Sequence, residues 1–472
     1  MPLILGANSV TGGYEVDNSL RFNSGSSDNL SRTFGAPTSG TTWTINFWVK
    51  KSSNGSALNL CSRLVDGSNE DRIRFTSGDA LEWSVYKSGS YAGNLVTTQL
   101  FRDNSAWYNI LCVWDTSNAT AGDRMRMYLN GSEITAFSTD TNPSLNTTSL
   151  FNASGSNHRI GSVTSGEYFN GYMSEVILVD GQQLAPSDFG EFDEDSGIWK
   201  PIRYTGTYGT NGFYLEFKDS SALGDDTSGN GNDFTVNNLT SIDQTTDTPT
   251  NNFATMNPLA TSSYITLSNG NLTATGNTGA ESGNSFCNYV PTKGKWYVEY
   301  KVTGTSGNSA PAIGIRQEYP DGFQLTNTNT GMAGYATAYE ASIRRDGQRF
   351  QNNVTGSWGT SYTTADIISI ALDCDNGAGY IAKDGIYMNS GDPTSGASKT
   401  GAFVVWTQAQ VNNFGQAFAV NNYNGSETQA NFGNPPFTIS SGNSDANGYG
   451  NFEYAVPSGY YALNTKNLAE YG

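Results

Sequence analysis

The sequence predicts an all-β protein built from two antiparallel, jelly-roll-like β-sandwich domains joined by a Gly/Asp/Thr-rich linker. Three observations carry that prediction. Short segments with period-two alternation recur from residue 20 onward, while the 3.6-residue period of an amphipathic helix is nearly absent. Turn formers are abundant, with 54 Gly in 472 residues and clusters of Asn, Asp and Ser between the apolar runs. Aromatic residues at 12% and hydrophobic residues at 36% are too many for a disordered polar chain, so the polar excess belongs to turns and solvated strand faces.

The elements follow in order. Residues 1–193 supply the first domain. SLRF, TWTINFWVKK, RIRFTS, ALEWSVYKS and WYNILCVWD alternate or form short apolar runs, and HRIGS and YMSEVILVDG complete the set. RMRMYLNGSEI is the clearest hairpin, because Asn130-Gly131 supplies the two residues that a type I′ turn requires. LAPSDFGEF predicts a short helix after Pro186, with Ser187 as its cap. Residues 194–260 read as a linker with extra strands: LGDDTSGNGNDF and DQTTDTPTNNF are loop-like, and GFYLEF between them reads as a strand of the first domain. Residues 261–472 form the second domain, with YITLS, KWYVEYKV, AIGIR, IISIALDCD, GYIAKDG, AFAV and TQANFG as strands.

Charge excludes one class of partner. Lys plus Arg is 25 against 43 Asp plus Glu, a net charge of −18, which repels a polyanion and argues against nucleic-acid binding. No apolar segment approaches a membrane span, and the first residues lack the positive n-region of a secretory signal. The four cysteines, Cys61, Cys112, Cys287 and Cys374, lie far apart without CxxC spacing and are expected as buried thiols. A turn-rich composition without a secretion signal suits a protein assembled in a cytoplasm and released by lysis, as a virus particle is.

Two resemblances refine the picture. SLRF, TWTINFWVK, AWYNILCVWD, MYLNGSEI and YFNGYMSEVILVDGQQLAPSDF, in that order, make residues 15–193 similar to the laminin-G or concanavalin-like lectin domains. GKWYVEYKV, DIISIALDCDNGAGYIAKDGIYM and ANFGNPPF make residues 262–440 resemble the SPRY domain, with GYATAYEASIRRDGQRF in the place of its middle strands. The pairing of these modules in an acidic, Asn/Thr/Gly-rich chain resembles phage tail-fibre or other virion-surface proteins, marine phages especially. That resemblance implies a non-enzymatic protein that recognises host surface glycans, meets other virion proteins and forms a homotrimer on the particle. The alternatives are a head-decoration or capsid-fibre protein and, from another class, a polysaccharide depolymerase.

Candidate sites follow from residue chemistry. The sole histidine, His158 in SNHRIGS, leaves one possible base for a triad and is expected to be structural. Glu191, Asp193 and their acidic neighbours superficially resemble the carboxylate run of concanavalin-like glycosidases, but a charge stands where that pattern has an apolar residue. The likeness to concanavalin-like folds implies calcium near a loop, and Asp225, Asp226, Asn230, Asn232 and Asp233 form the densest oxygen cluster. Asp373-Cys-Asp375-Asn376-Gly377 reads instead as a hairpin turn. Glycan recognition needs stacking aromatics beside planar hydrogen-bonding groups. Strand tryptophans such as Trp43, Trp48, Trp83, Trp107 and Trp114 are expected in packing, and the loop aromatics Tyr91, Tyr208, Tyr319, Phe323, Trp358 and Tyr362 are expected to be exposed. The SPRY likeness implies binding by loops at one end, which selects Tyr319, Phe323, Trp358 and Tyr362. Asn-x-Ser/Thr sequons, such as those at Asn118, Asn130 and Asn146, read as unmodified products of composition.

Overall fold

The computed structural model describes residues 13–164, 166–279, 282–317 and 340–472. It is all-β, with 45% strand against 7% helix. The chain divides into two compact units, with the boundary between Thr250 and Asn251.

In the first unit two large antiparallel sheets face each other. One runs in the order Ser132–Glu133, Met125–Leu129, Tyr108–Asp115, Thr42–Lys51, Gly171–Asp180, Ser19–Phe22 and Gln244–Thr245, with Phe213–Leu215 also paired to Gly171–Asp180. The other runs Phe137–Thr141, Ser90–Leu100, Ala80–Lys87, Asn69–Phe75, Leu58–Asp66, Gly155–Ile160, Asn29–Phe34 and Thr235–Asn237. Alternating residues of both sheets meet in a core centred on Trp43, Trp83 and Trp114, whose rings lie 5.4–6.4 Å apart. Cys61 and Cys112 are buried in that core, and Cys287 and Cys374 in the other unit; all four are free thiols.

The stretch expected as a linker folds onto this sandwich. Phe213–Leu215 in GFYLEF pairs with Val176–Leu178, Thr235–Asn237 adds to the second sheet, and Gln244–Thr245 pairs with Ser19 and Leu20. Phe189, Tyr204 and Tyr214 cover Leu111, Val113, Ile177 and Val179 on the outer side of the first sheet. That cover explains why Thr42–Lys51 is buried at nearly every position rather than at alternate ones. The hairpin at Asn130-Gly131 is present, with both residues at positive φ and Leu129 opposite Ser132. In LAPSDFGEF only a 3-10 turn forms, over Pro186–Asp188, and Asp188 rather than Ser187 caps it by accepting the Ala185 N–H.

The second unit repeats the plan with different wiring. One sheet runs Met256–Thr261, Gly283–Cys287, Gln416–Asn422, Ala312–Gln317, Ala341–Arg344, Gln348–Gln351 and Val354–Ser357. The other runs Ile265–Ser268, Thr273–Gly276, Glu427–Asn431, Lys295–Gly304, Ile367–Asp373, Ala378–Lys383 and Ile386–Tyr387. Trp296, Phe418 and Phe432 lie in the core between them. The Asp373 to Gly377 run is a hairpin turn: Asp373 pairs with Ala378, and its carboxylate accepts the Asn376 N–H. No helix among the described residues is long and apolar enough to cross a membrane.

Candidate functional site

The site is assembled where two hairpins of the second unit come together. One is Gln348–Gln351 with Val354–Ser357, and the chain leaving it carries Trp358, Gly359 and Thr360. The other joins Ala378–Lys383 to Ile386–Tyr387 through Asp384 and Gly385, both at positive φ as a two-residue turn demands. Between them lies a cleft of about 550 Å³ walled by Trp358, Thr360, Lys383, Ile386, Tyr387 and Asn389, among others. That volume falls within the roughly 300–1,000 Å³ of small-molecule sites.

Each wall has a local cause. The Trp358 indole is half-buried and braced edge-to-face by Phe403 at 4.9 Å. Gly359 lets the two hairpins close, since a Cβ there would lie 2.3 Å from the Met388 sulfur. Lys383 donates to the Asp366 carboxylate at 2.8 Å and to the Ser361 carbonyl at 3.2 Å, with the Asp384 carboxylate 4.0 Å away. Asp384 accepts the Ile367 N–H at 2.9 Å. The Tyr387 hydroxyl is buried with no hydrogen-bond partner among the described residues, and burial together with the Glu299 carboxylate pushes its pKa up, so it stays protonated. Ile386, 77% exposed, adds an apolar rim. The cleft thus sets a braced indole beside the Lys383 ammonium and the exposed Thr360 hydroxyl and Asn389 amide, groups that offer one stacking face and several hydrogen bonds.

Of the loop aromatics expected in binding, Trp358 is in this cleft. Tyr362 is not: only 2% of it is exposed, and its hydroxyl sits between the carbonyl oxygens of Pro311 and Ile343 at 2.8 and 2.9 Å. It fastens the loop into the core instead of meeting a ligand. Tyr319 and Phe323 lie outside the described residues. In the first unit, Tyr91 is exposed against Tyr86, whereas Tyr208 packs in the cover between Tyr204 and Tyr214. Lys383, Tyr387 and Asn389 went unrecognised in the sequence. The Asp384-Gly385 turn signals their hairpin, but nothing local shows that it faces Trp358.

The oxygen cluster in LGDDTSGNGNDF is a hydrogen-bonded knot. Asp226 accepts backbone N–H groups from Tyr214, Ser228 and Asn232 and the Ser228 hydroxyl. Asp233 accepts the Asp226 N–H. Asn230 and Asn232 spend their amide N–H groups on Gly209, Thr210 and Gly212 carbonyls, and Arg32 donates to the Asn232 side chain. Asp225 is exposed outside this knot. Arg32 also donates to the Asp233 carbonyl at 3.2 Å, and among the described residues no group of three His, Cys, Asp or Glu side chains is arranged to hold a metal.

The other candidate residues are structural. His158 is fully buried, stacked on Phe34 at 3.8 Å, and burial with the nearby Arg63 pushes its pKa down to about 3. Glu191 and Asp193 both reach Lys200, at 3.3 Å each. Hydrogen bonds from Ser196, then Lys200, hold Asp193 below the usual carboxylate range, the opposite of what a general acid needs.

Residues 21–184 match the family model described as the concanavalin A-like lectin/glucanases superfamily. The match takes in the strands of the first unit from Arg21 to Asp180 and leaves out Phe213–Leu215, Thr235–Asn237 and Gln244–Thr245. No curated protein matches the sequence. Among solved structures, the SPRY domain of human HERC1 is 17% identical, with 37% of this chain and 96% of that one covered and a TM-score of 0.26. A second human SPRY domain is 13% identical, with 35% and 94% covered and a TM-score of 0.25. The heptameric SAP-like pentraxin of Limulus polyphemus is 17% identical, with 36% and 78% covered and a TM-score of 0.27.

Proposed function

We propose that the protein is a non-enzymatic, glycan-binding component of a virion surface: a tail fibre or receptor-binding subunit, homotrimeric on the particle. The observation that carries the binding part is the cleft beside Trp358, which joins a braced indole to the Lys383 ammonium, the Thr360 hydroxyl and the Asn389 amide. The lectin-related match of residues 21–184 supports the same class, and the Lys200-neutralised Glu191 and Asp193 supply no acid–base pair for a depolymerase. The virion setting rests on the composition and on the sequence resemblance to phage surface proteins. A stacked sugar with a few hydrogen bonds gains about 1–2 kcal/mol per contact, so a single site binds weakly and a multivalent particle binds well.

The test is adsorption competition with the full chain. Excess protein should block phage adsorption to host cells, Trp358→Ala should lose that block, and host polysaccharide should gain no reducing ends. Adsorption unaffected by excess wild-type protein overturns receptor binding, and polysaccharide cleavage lost on Glu191→Gln overturns the non-enzymatic reading.

A further inference from the structure

On the outer side of the first sheet, Lys50 and Asp247 meet with their side chains 1% and 0% exposed, the ammonium nitrogen 2.6 Å from Oδ2. Lys50 stands near the end of Thr42–Lys51, and Asp247 lies just past Gln244–Thr245, at the close of the first unit. The two are 197 residues apart in sequence. Everything around them fixes the pair. The Trp107 indole N–H donates to the other carboxylate oxygen, Oδ1, at 3.2 Å, and the Tyr172 ring lies under the ammonium at 5.0 Å. The Ser19 hydroxyl donates to the Asp247 carbonyl at 2.6 Å, and the Asp247 N–H donates to the Thr245 hydroxyl at 3.0 Å. Gly171, opposite Lys51, allows the close backbone approach here: a Cβ would lie 2.1 Å from the Lys50 carbonyl oxygen.

We propose that Lys50 and Asp247 condense into an intramolecular isopeptide bond. In a site stripped of water, two charges are costly even when paired, and a neutral amide removes both. Burial lowers the Lys50 pKa, against the pull of Asp247, which favours the neutral amine that a nucleophile must be. The ammonium proton passes along the 2.6 Å hydrogen bond to Oδ2, leaving an amine beside a carboxylic acid. The amine lone pair attacks Cγ, and the negative charge that develops on Oδ1 is met by the Trp107 N–H already aimed there. The C–Oδ2 bond then breaks, the hydroxyl leaves with a proton from the new nitrogen as water, and a C–N bond remains. One water is lost and nothing is oxidised or reduced.

The neighbouring pair marks the contrast. Lys51 reaches Asp79 at 3.0 Å, but Asp79 also accepts the Gly55 N–H and the Arg102 guanidinium. Burial alone would raise the Asp79 pKa; Lys51, Gly55 and Arg102 hold it below the usual carboxylate range, so its carboxyl stays ionised and resists attack. The bond at Lys50 would tie the last segment of the first unit covalently to a central strand, a useful lock for a protein pulled through its chain.

The experiment is an intact-mass measurement on the denatured full chain. The expected result is a mass about 18 Da below that of the sequence, with a proteolytic digest yielding one branched peptide that contains Lys50 and Asp247. Lys50→Arg and Asp247→Ala should each restore the missing water, and Trp107→Phe should slow its loss. A wild-type mass equal to that of the sequence overturns the proposal, and it does so whether or not the variants fold. A missing water that persists in Lys50→Arg, or a branch at Lys51, overturns it as well.

Discussion

Acid should weaken the first sandwich through a single side chain. His158 is buried against Phe34, and its pKa falls from 6.5 to about 3 because burial and the Arg63 charge both disfavour the imidazolium. A depressed cationic group binds fewer protons folded than unfolded. Its contribution to stability is therefore complete above the unfolded pKa near 6.5 and is lost progressively as pH falls toward 3. Near pH 5 the unfolded chain is protonated at this site and the folded chain is not. The loss is the distance from 6.5 at roughly 1.36 kcal/mol per pH unit, or about 2 kcal/mol. That figure does not depend on how deep the folded value lies, provided it is below about 4.

Carboxylates titrate over the same range, so the assay is a difference. Urea unfolding of wild type and His158→Phe should be compared near pH 7 and near pH 5. Phe keeps the stack and cannot charge, so the variant should gain about 2 kcal/mol on wild type over that interval. As the chain has one histidine, the imidazole proton resonances in NMR belong to it and should not move above about pH 4 while the protein is folded. A folded-state titration near 6.5, or a wild-type-minus-variant difference independent of pH, refutes the reasoning.

Further outcomes are expected elsewhere. Glu175, in a left-handed conformation at a bulge, accepts the Tyr14 and Tyr214 hydroxyls, and burial raises its pKa to about 7. Its raised value makes the folded state bind the extra proton, so stability falls as pH rises from 4.5 through 7, and Glu175→Gln should recover about 3 kcal/mol relative to wild type across that window in the same urea assay. Trp43→Ala removes the ring touching Trp83, Trp114 and Phe151 and should lower stability by about 3–5 kcal/mol, read as a fall in melting temperature. Asp226→Ala should cost about 3 kcal/mol by orphaning its donors, and adding calcium to the wild-type protein should leave the melting temperature unchanged, because Arg32 already satisfies that loop.

What the sequence made legible was whatever a short window encodes. Asn130-Gly131 and Asp373 to Gly377 are turns because of their own backbone preferences, and the apolar runs between them are strands. Side-chain exposure is not encoded that way. Trp358 and Tyr362 sit four residues apart in the same loop. One lines a cleft and the other plugs the core, because the Tyr362 hydroxyl finds the Pro311 and Ile343 carbonyls on strands brought in from elsewhere. The oxygen-rich loop makes the same point. Asp226 and Asn232 have calcium-like chemistry, but their partners are N–H groups of Tyr214 and the side chain of Arg32, about 200 residues away in the case of Arg32.

The strand TWTINFWVKK shows how far a local pattern reaches. Its residues alternate between the faces of the sheet. Trp43, Ile45, Phe47 and Val49 enter the inter-sheet core, and Lys51 continues their row to meet Asp79, 28 residues on. Thr44, Asn46, Trp48 and Lys50 take the other face, which an isolated sandwich would leave in water. It is instead buried, so Lys50 needs a counter-charge, and that charge is Asp247. Two adjacent lysines at the end of an apolar strand thus imply two buried acids on opposite faces. The second acid has to come from a segment that crosses the outside of the sheet. The Thr-rich stretch around Asp247, which reads as a spacer by composition, packs as part of the first unit, pairing Gln244–Thr245 with Ser19 and Leu20 and bringing Asp247 to Lys50.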